Sequence, residues 1–296
     1  MSEWDGRGLP PVAAERMRRF ARTGLRTSLL TVPAAVGVQS VGFDPVGEVM
    51  GCIVEHIGWS GFGGCGYFGG IGGFGIAGGT VTSSGSVPFV GFGPYVDALY
   101  QGYDTALGRM TEEAAAMDAD GVVGVRLSVS HLGSRTGAGN REFTALGTAV
   151  RARSRHRPSR VFTTDLAGQD VAKLVQAGWV PVALVYGISV AVRHDDWRTQ
   201  RQASWGAGNT EVSGYTELVV HVRADARHRF DRQARSAGAQ GAIVSSMSLR
   251  IGEMEPAENH RDHVAEASVF GTALVSFHRG PRAPTRSLTI LPLRQK

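Results

Sequence analysis

The sequence is poor in cysteine and in lysine, and both shortages exclude classes of protein. Two cysteines, Cys52 and Cys65, among 296 residues are too few for a disulfide framework, which favours a reducing, cytoplasmic compartment. Lysine occurs only at positions 173 and 296, so the formal net charge of +5 comes from arginine. Much of the basic excess lies in the N-terminal segment, in 151–160 and after His278. Because these are connecting segments, no specific nucleic-acid partner is predicted.

Long apolar runs are also missing. No run of about 18 strongly apolar residues occurs, so no conventional transmembrane helix is predicted. The N-terminus carries Glu3 and Asp5 and lacks an apolar signal core, so no secretion signal is expected. Residues 57–96 contain no charged side chain at all, where the chain average of 19% would place roughly seven or eight.

Glycine dominates this uncharged segment, and five of the aromatic residues within it stand out: Trp59, Phe62, Tyr67, Phe68 and Phe74. Glycine is costly to order, yet disordered segments rarely carry so many aromatic residues. Three hypotheses stay open. The segment is a loop buried in an oligomer interface or around its axis, a flexible loop, or a segment that contacts a membrane through 57–96.

An internal repeat is the most informative feature that is present. When the sequence is shifted by 120 positions, identical residues meet without a gap. The pairs include Tyr95/Tyr215, Ala106/Ala226, Arg109/Arg229, Ala114/Ala234, Gly121/Gly241 and Ser128/Ser248. After a change of register, Gly147-Thr148-Ala149 meets Gly271-Thr272-Ala273. A divergent tandem duplication is therefore the hypothesis.

Each copy has the pattern of one long helix followed by a strand. From Pro94 to Ala114, apolar residues recur at three- and four-residue steps, the spacing of one helix face. Gly121 is predicted to be the left-handed residue that ends this helix, and Gly241 matches it in the second copy. Val122–Val129 then has the composition of a strand. The predicted fold class is α+β, with each domain a mainly antiparallel β-sheet packed on one long α-helix.

Composition predicts the domain boundaries. A basic N-terminal arm (1–26), with a short helix over 11–24, precedes a first domain at 27–151 that carries a glycine-rich insertion, 57–94. An arginine-rich linker (152–160) leads to a second domain at 161–278, and 279–296 is predicted to be an exposed tail. Inside the domains, Leu29–Val41 is predicted to be a strand, and Gly252–His263 a polar loop.

The order of these motifs resembles a known family. Tyr95, a helix ending in Ala119-Asp120-Gly121-Val122-Val123-Gly124, and a later Gly147-Thr148-Ala149-Val150 are similar to the YbjQ-like family of heavy-metal-binding domains. The resemblance covers 27–151 well and 160–277 more weakly. It implies a small α+β domain that assembles as a ring, typically a homopentamer, without established enzymatic activity. The glycine-rich segment departs from the family pattern.

Candidate metal ligands gather near the end of the second copy: Glu258, His260, Asp262 and His263. Neutral imidazoles and carboxylates suit a borderline divalent ion, so a divalent metal is one hypothesis and a solvated acidic loop is the other. Gly61–Gly66 spells GxGxxG, but more glycine follows where a helix should open. No nucleophile elbow, HExxH motif or phosphate loop with lysine occurs, and no catalytic residue is predicted.

The sequence therefore predicts a cytoplasmic, non-enzymatic protein of two YbjQ-like domains whose partner is itself. The resemblance makes that assembly a ring, with five chains as the expected number. Heavy-metal binding or sensing is the alternative function, and a membrane-associated ring that inserts the uncharged segment is the second alternative.

Overall fold

The structure is a computed structural model that describes residues 4, 8–24, 27–57, 90–91, 93–132, 139–155, 157–257 and 260–277. Most of the predicted insertion 57–94 and the tail 279–296 lie outside this range. The helices of the described part are α1 (Pro11–Thr23), α2 (Val32–Ser40), α3 (Gly93–Ala116), α4 (Gly168–Gln176), α5 (Trp197–Gln202) and α6 (Ser213–Ser236). Its strands are β1 (Phe43–Ile57), β2 (Val90–Gly91), β3 (Gly121–Leu132), β4 (Gly139–Ala152), β5 (Phe162–Thr164), β6 (Trp179–His194), β7 (Gly241–Ala257) and β8 (His260–Ser276).

The strands form two four-stranded sheets with the orders β1-β4-β3-β5 and β2-β6-β8-β7. Every pairing is antiparallel except that of β3 with β5, which is parallel. We call α2, β1, α3, β3 and β4 the first unit, and β5, α4, β6, α6, β7 and β8 the second unit. The predicted α+β class with mainly antiparallel sheets is confirmed, and the two sheet units fit tandem domains.

Each long helix crosses its sheet at a glycine. A Cβ added at Gly51 of β1 would lie 2.6 Å from the amide nitrogen of Met110 on α3. A Cβ added at Gly187 of β6 would lie 2.5 Å from the amide nitrogen of Phe230 on α6. Only a residue without a side chain allows a helix backbone to approach a strand so closely. The two units therefore share the same helix-on-sheet contact.

The turn after each helix differs from the prediction for Gly121 and Gly241. The left-handed residue is Asp118 in the first unit, with a φ of 55°, and Gly238 in the second, with a φ of 74°. An aspartate tolerates this conformation better than most residues because its short side chain bonds locally. Gly121 instead begins β3, where the ring of Phe162 leaves no room for a Cβ.

Two predicted segments have the wrong secondary structure. Most of Leu29–Val41 is helical, as α2: Thr31 caps it by accepting from Ala34 N, and a proline lies in its first turn. The apolar run hid the helix because a short buried helix and a buried strand share that composition. Gly252–His263 is mostly strand, since β7 extends to Ala257 and β8 begins at His260.

The arm helix α1 lies on the first unit. Arg16 donates to the carboxylate of Glu113, with 3.0 Å between Nε and Oε1, and Glu113 also accepts from Met50 N at 2.8 Å. Glu113 is fully buried, so these charge-assisted bonds offset its desolvation. No helix in the described part is long and apolar enough to cross a membrane.

Candidate functional site

The two units meet through tyrosine side chains on α3 and β6. The rings of Tyr100 and Tyr186 stack at 5.4 Å, and Tyr103 lies 5.4 Å from Tyr186 and 5.7 Å from Phe270. Ile188 N also donates to the Tyr100 hydroxyl at 2.9 Å, and Tyr186 donates to Asp104 Oδ1 at 2.5 Å. We call this contact, together with the β5 pairing described next, the inter-unit joint.

Burial changes the titration of the joint tyrosines. It raises the pKa of Tyr103 to about 12, and it also raises the pKa of Tyr100. The pKa of Tyr186 is raised by burial and further by its bond to Asp104. The neutral phenol is the form that fits an apolar contact, so the joint favours protonated tyrosines.

Strand β5 forms the second part of the joint. It begins the second unit but pairs with the first sheet, with Phe162, Thr163 and Thr164 opposite Gly121, Val122 and Val123. Its side chains hold it to its own unit as well. Leu184 N donates to Thr163 Oγ1 at 2.9 Å, and the hydroxyls of Thr164 and Thr272 are 2.8 Å apart. The strand thus covers the edge of β3 while staying anchored to the second sheet.

Two cavities lie between the units. One of 460 Å³ has charged lining residues from both units: Arg141, Asp165, Arg250 and Glu266. The other, of 890 Å³, is lined mostly by aliphatic residues such as Leu107, Val171, Val175 and Val182. Neither lining includes a histidine or a cysteine.

The outer strand β7 differs from its counterpart β3. Val122 and Val123 of β3 are buried beneath β5, whereas Ala242 of β7 is exposed. Among the described residues, β8 is the only strand paired with β7. Three large apolar side chains of β7 are about half exposed: Val244 (47%), Met247 (48%) and Ile251 (53%). An edge of 17 residues that carries apolar side chains and pairs with no second described strand is a template for strand addition.

The first unit also has an exposed surface, which includes residues 27–30 and part of β1. Residues 27–30 follow the arm and lie over the first sheet, where Leu29 N donates to Thr148 Oγ1 at 3.0 Å. On β1, Cys52 is exposed and Val54 is 55% exposed. Each unit therefore has one exposed surface, and the two surfaces differ in their residues.

The predicted metal ligands do not form one cluster in the described part. Asp262 and His263 are neighbours on β8, so their side chains point to opposite faces of the sheet. The buried ring of His263 lies 3.1 Å from Asp195 Oδ1 and 3.3 Å from Glu253 Oε1, and it packs on Tyr215 at 4.1 Å. No group of three His, Cys, Asp or Glu suited to a metal occurs in the described ranges. Glu258 lies outside them, as does the side chain of His260, so the metal site stays a prediction.

The remaining predicted site residues are Trp59, Phe62, Tyr67, Phe68 and Phe74, which lie outside the described residues. The joint itself was missed from sequence, because Tyr100 and Tyr103 were assigned to the buried face of their own helix. A signal was present: the repeat places Val220 and Arg223 at the positions of these tyrosines.

Comparisons with known proteins agree with this architecture. Residues 89–153 match the YbjQ_1 family, described as "Putative heavy-metal-binding", a range that covers α3, β3 and β4 but not Glu258 to His263. The chain is 32% identical over 243 residues to the encapsulin nanocompartment protein Rv1762c of Mycobacterium tuberculosis, covering 79% of this chain and 81% of that protein. No solved structure matches. The chain therefore belongs to the family of the encapsulin nanocompartment protein Rv1762c and contains a YbjQ-type domain.

Proposed function

We propose that this protein is a non-enzymatic, self-associating assembly protein whose two units are copies of one module and whose chains close into a ring. The family resemblance implies five chains. The name of its relative, an encapsulin nanocompartment protein, supports a structural role.

One observation carries the proposal: within the described part of the chain, the same edge is covered in the first unit and uncovered in the second. Strand β5 pairs with β3, but no described strand occupies the corresponding side of β7. An open edge with half-exposed apolar residues is a liability that natural proteins cover, and a second chain is one way to cover it. A ring covers every such edge, because each chain then has a neighbour on both sides.

The test is the mass of the purified full-length chain by size-exclusion chromatography with light scattering, over a hundredfold range of concentration. The expected result is a discrete species at a multiple of 31.4 kDa, with five copies as the specific expectation. A chain that stays at 31.4 kDa throughout contradicts self-association, and a discrete oligomer of another size contradicts only the number five.

The name of the relative also supports a place for this protein in a protein nanocompartment. Negative-stain microscopy of the purified protein, alone and co-expressed with the compartment proteins of the same cell, tests this. Rings alone, with no association with closed shells in either sample, would remove the compartment from the proposal and leave the ring.

A further inference from the structure

We propose that the inter-unit joint is repeated between chains, with the second unit of one copy bound to the first unit of the next. This inference rests on the proposed self-association and names the surfaces that meet. The donor surface is the edge of β7 that no described strand covers, with the exposed side of α6. The acceptor surface is residues 27–30 with the outer face of β1. The partner is a second copy of this chain.

The first support is that 27–30 already lies where β5 lies in the second unit. Leu166 N donates to Thr164 Oγ1 at 3.1 Å, and Leu30 N donates to Ser28 Oγ at 3.2 Å. Thr164 contacts Thr272 of the second sheet. Ser28 contacts Thr148 of the first sheet, with 3.4 Å between the hydroxyl oxygens.

These two anchoring contacts are thus shared by both units, but the strand pairing is not. Strand β5 has β3 on its outer side. Residues 27–29 have no strand partner in the described part of the chain. By analogy with β5, their outer side is the one that takes a neighbouring β7.

The second support comes from Gly241. At Gly121 the ring of Phe162, from the pairing strand, occupies the space of a Cβ, so a larger residue there would displace that ring. At Gly241 the nearest atom to such a Cβ belongs to Trp179, at 3.6 Å, which is ordinary contact. Gly241 also lacks a positive φ. Nothing in the described part of its own chain requires glycine there, so the space beside Gly241 can take a side chain of a strand from another chain.

The third support is charge. Tyr103 and Leu184 line one cavity of the joint, one from each unit. In the repeat, Arg223 takes the position of Tyr103 on α6, and Glu48 takes the position of Leu184 on β1. An arginine on the donor surface and a glutamate on the acceptor surface would therefore line the corresponding space between two chains. Opposite charges at this pair favour a contact of second unit to first unit and disfavour second unit to second unit.

The geometry also decides the type of assembly. Each chain has one donor and one acceptor surface, and these differ, so the contact is heterologous rather than two-fold symmetric. Such contacts build rings when they close and filaments when they do not.

If the joint is repeated between chains, cysteines introduced at Thr27 and Ala242 should form a disulfide from one chain to the next. Thr27 and Ala242 take the places of Thr163 and Val122, which are directly opposite each other in the parallel pair. Neighbouring strands are about 4.8 Å apart, within the Cα separation that a disulfide tolerates. The variant Thr27→Cys with Ala242→Cys is therefore made in the full chain, with Cys52→Ser and Cys65→Ser to remove the native thiols.

After mild oxidation, a non-reducing gel should show a covalent ladder that ends at the size of the assembly. A mixture of the two single variants should give covalent dimers only, because each chain then offers one thiol. The matched control pairs Thr27→Cys with Ser248→Cys, six residues along β7 and roughly 20 Å away, and should give no ladder.

The outcomes separate this inference from the proposed function. A discrete oligomer by light scattering without a ladder overturns the joint and leaves self-association standing. Dimers from Ala242→Cys alone overturn it too, because they show two β7 edges pairing with each other. A monomer by light scattering overturns both.

Discussion

The glycine contact beneath each long helix gives the sharpest stability prediction. A Cβ at Gly187 would overlap the carbonyl oxygen of Ala226 and lie 2.5 Å from Phe230 N, whereas an ordinary contact needs about 3.5 Å, so α6 must move by more than about 1 Å or distort. Overpacking of this kind costs about 1–3 kcal/mol. We therefore expect Gly187→Ala to destabilise the contact of α6 with β6 by that amount.

Hydrogen exchange of the α6 amides is the assay, because two units need not unfold together and a single unfolding midpoint would mix them. A loss of about 1–3 kcal/mol should speed exchange by roughly 5- to 150-fold. Gly51→Ala should do the same to the amides of α3, whose Met110 N lies 2.6 Å from the added atom.

The matched control is Gly108→Ala, because Gly108 lies on α3 itself and has no atom within 4 Å of an added Cβ. Alanine is the better helix former, so this variant should gain about 0.5–1 kcal/mol. Unchanged exchange in α6 of Gly187→Ala, or a loss of stability in Gly108→Ala, would refute the reasoning.

Three further predictions follow from the joint and the surfaces. Because burial raises the pKa of the joint tyrosines, their contribution to the free energy of unfolding should be complete below about pH 10 and be lost as the pH rises towards 12. Urea unfolding at a series of pH values measures this loss, and Tyr186→Phe should make it smaller. Arg223→Glu should weaken self-association about fivefold in sedimentation, and Glu48→Arg in the same chain should restore it; equal weakening by both changes together would contradict the pairing. His263→Ala should cost about 1–3 kcal/mol without any metal, because it removes the bond to buried Asp195, and calorimetry with Zn²⁺ on the unaltered protein tests the metal hypothesis separately.

The sequence predicted the long helices well, because two copies of one periodic pattern support each other. The helix from Pro94 and the strand from Val122 appear as α3 and β3, and the pattern recurs in α6 and β7. The apolar run of α2 was misassigned, since composition alone does not separate a short buried helix from a strand. The left-handed turn was placed at Gly121 rather than Asp118, because glycine is the default expectation and aspartate the exception.

The joint could not be predicted from the sequence because it depends on which surfaces meet in space. Tyr186 gave no sign that it would stack on Tyr100, 86 positions earlier in the chain. The pairing of β5 with the preceding unit was equally hidden, since three residues carry little pattern. What the repeat did offer was a comparison of the copies, and the positions where they differ, such as Tyr103 and Arg223, mark the surfaces that differ in their contacts.

The position of β5 in the sequence determines how soon after its synthesis the edge of β3 can be covered. Strand β5 begins at Phe162, ten residues after β4 ends at Ala152, so a ribosome adding 5–20 residues per second supplies it within about two seconds. Under the proposed joint, β7 must wait for a second chain, and that wait lengthens as the protein becomes scarcer in the cell. Newly made chains then wait longest with β7 uncovered, and are most exposed to wrong association, when expression is lowest. Translation of several chains from one messenger RNA would shorten that wait.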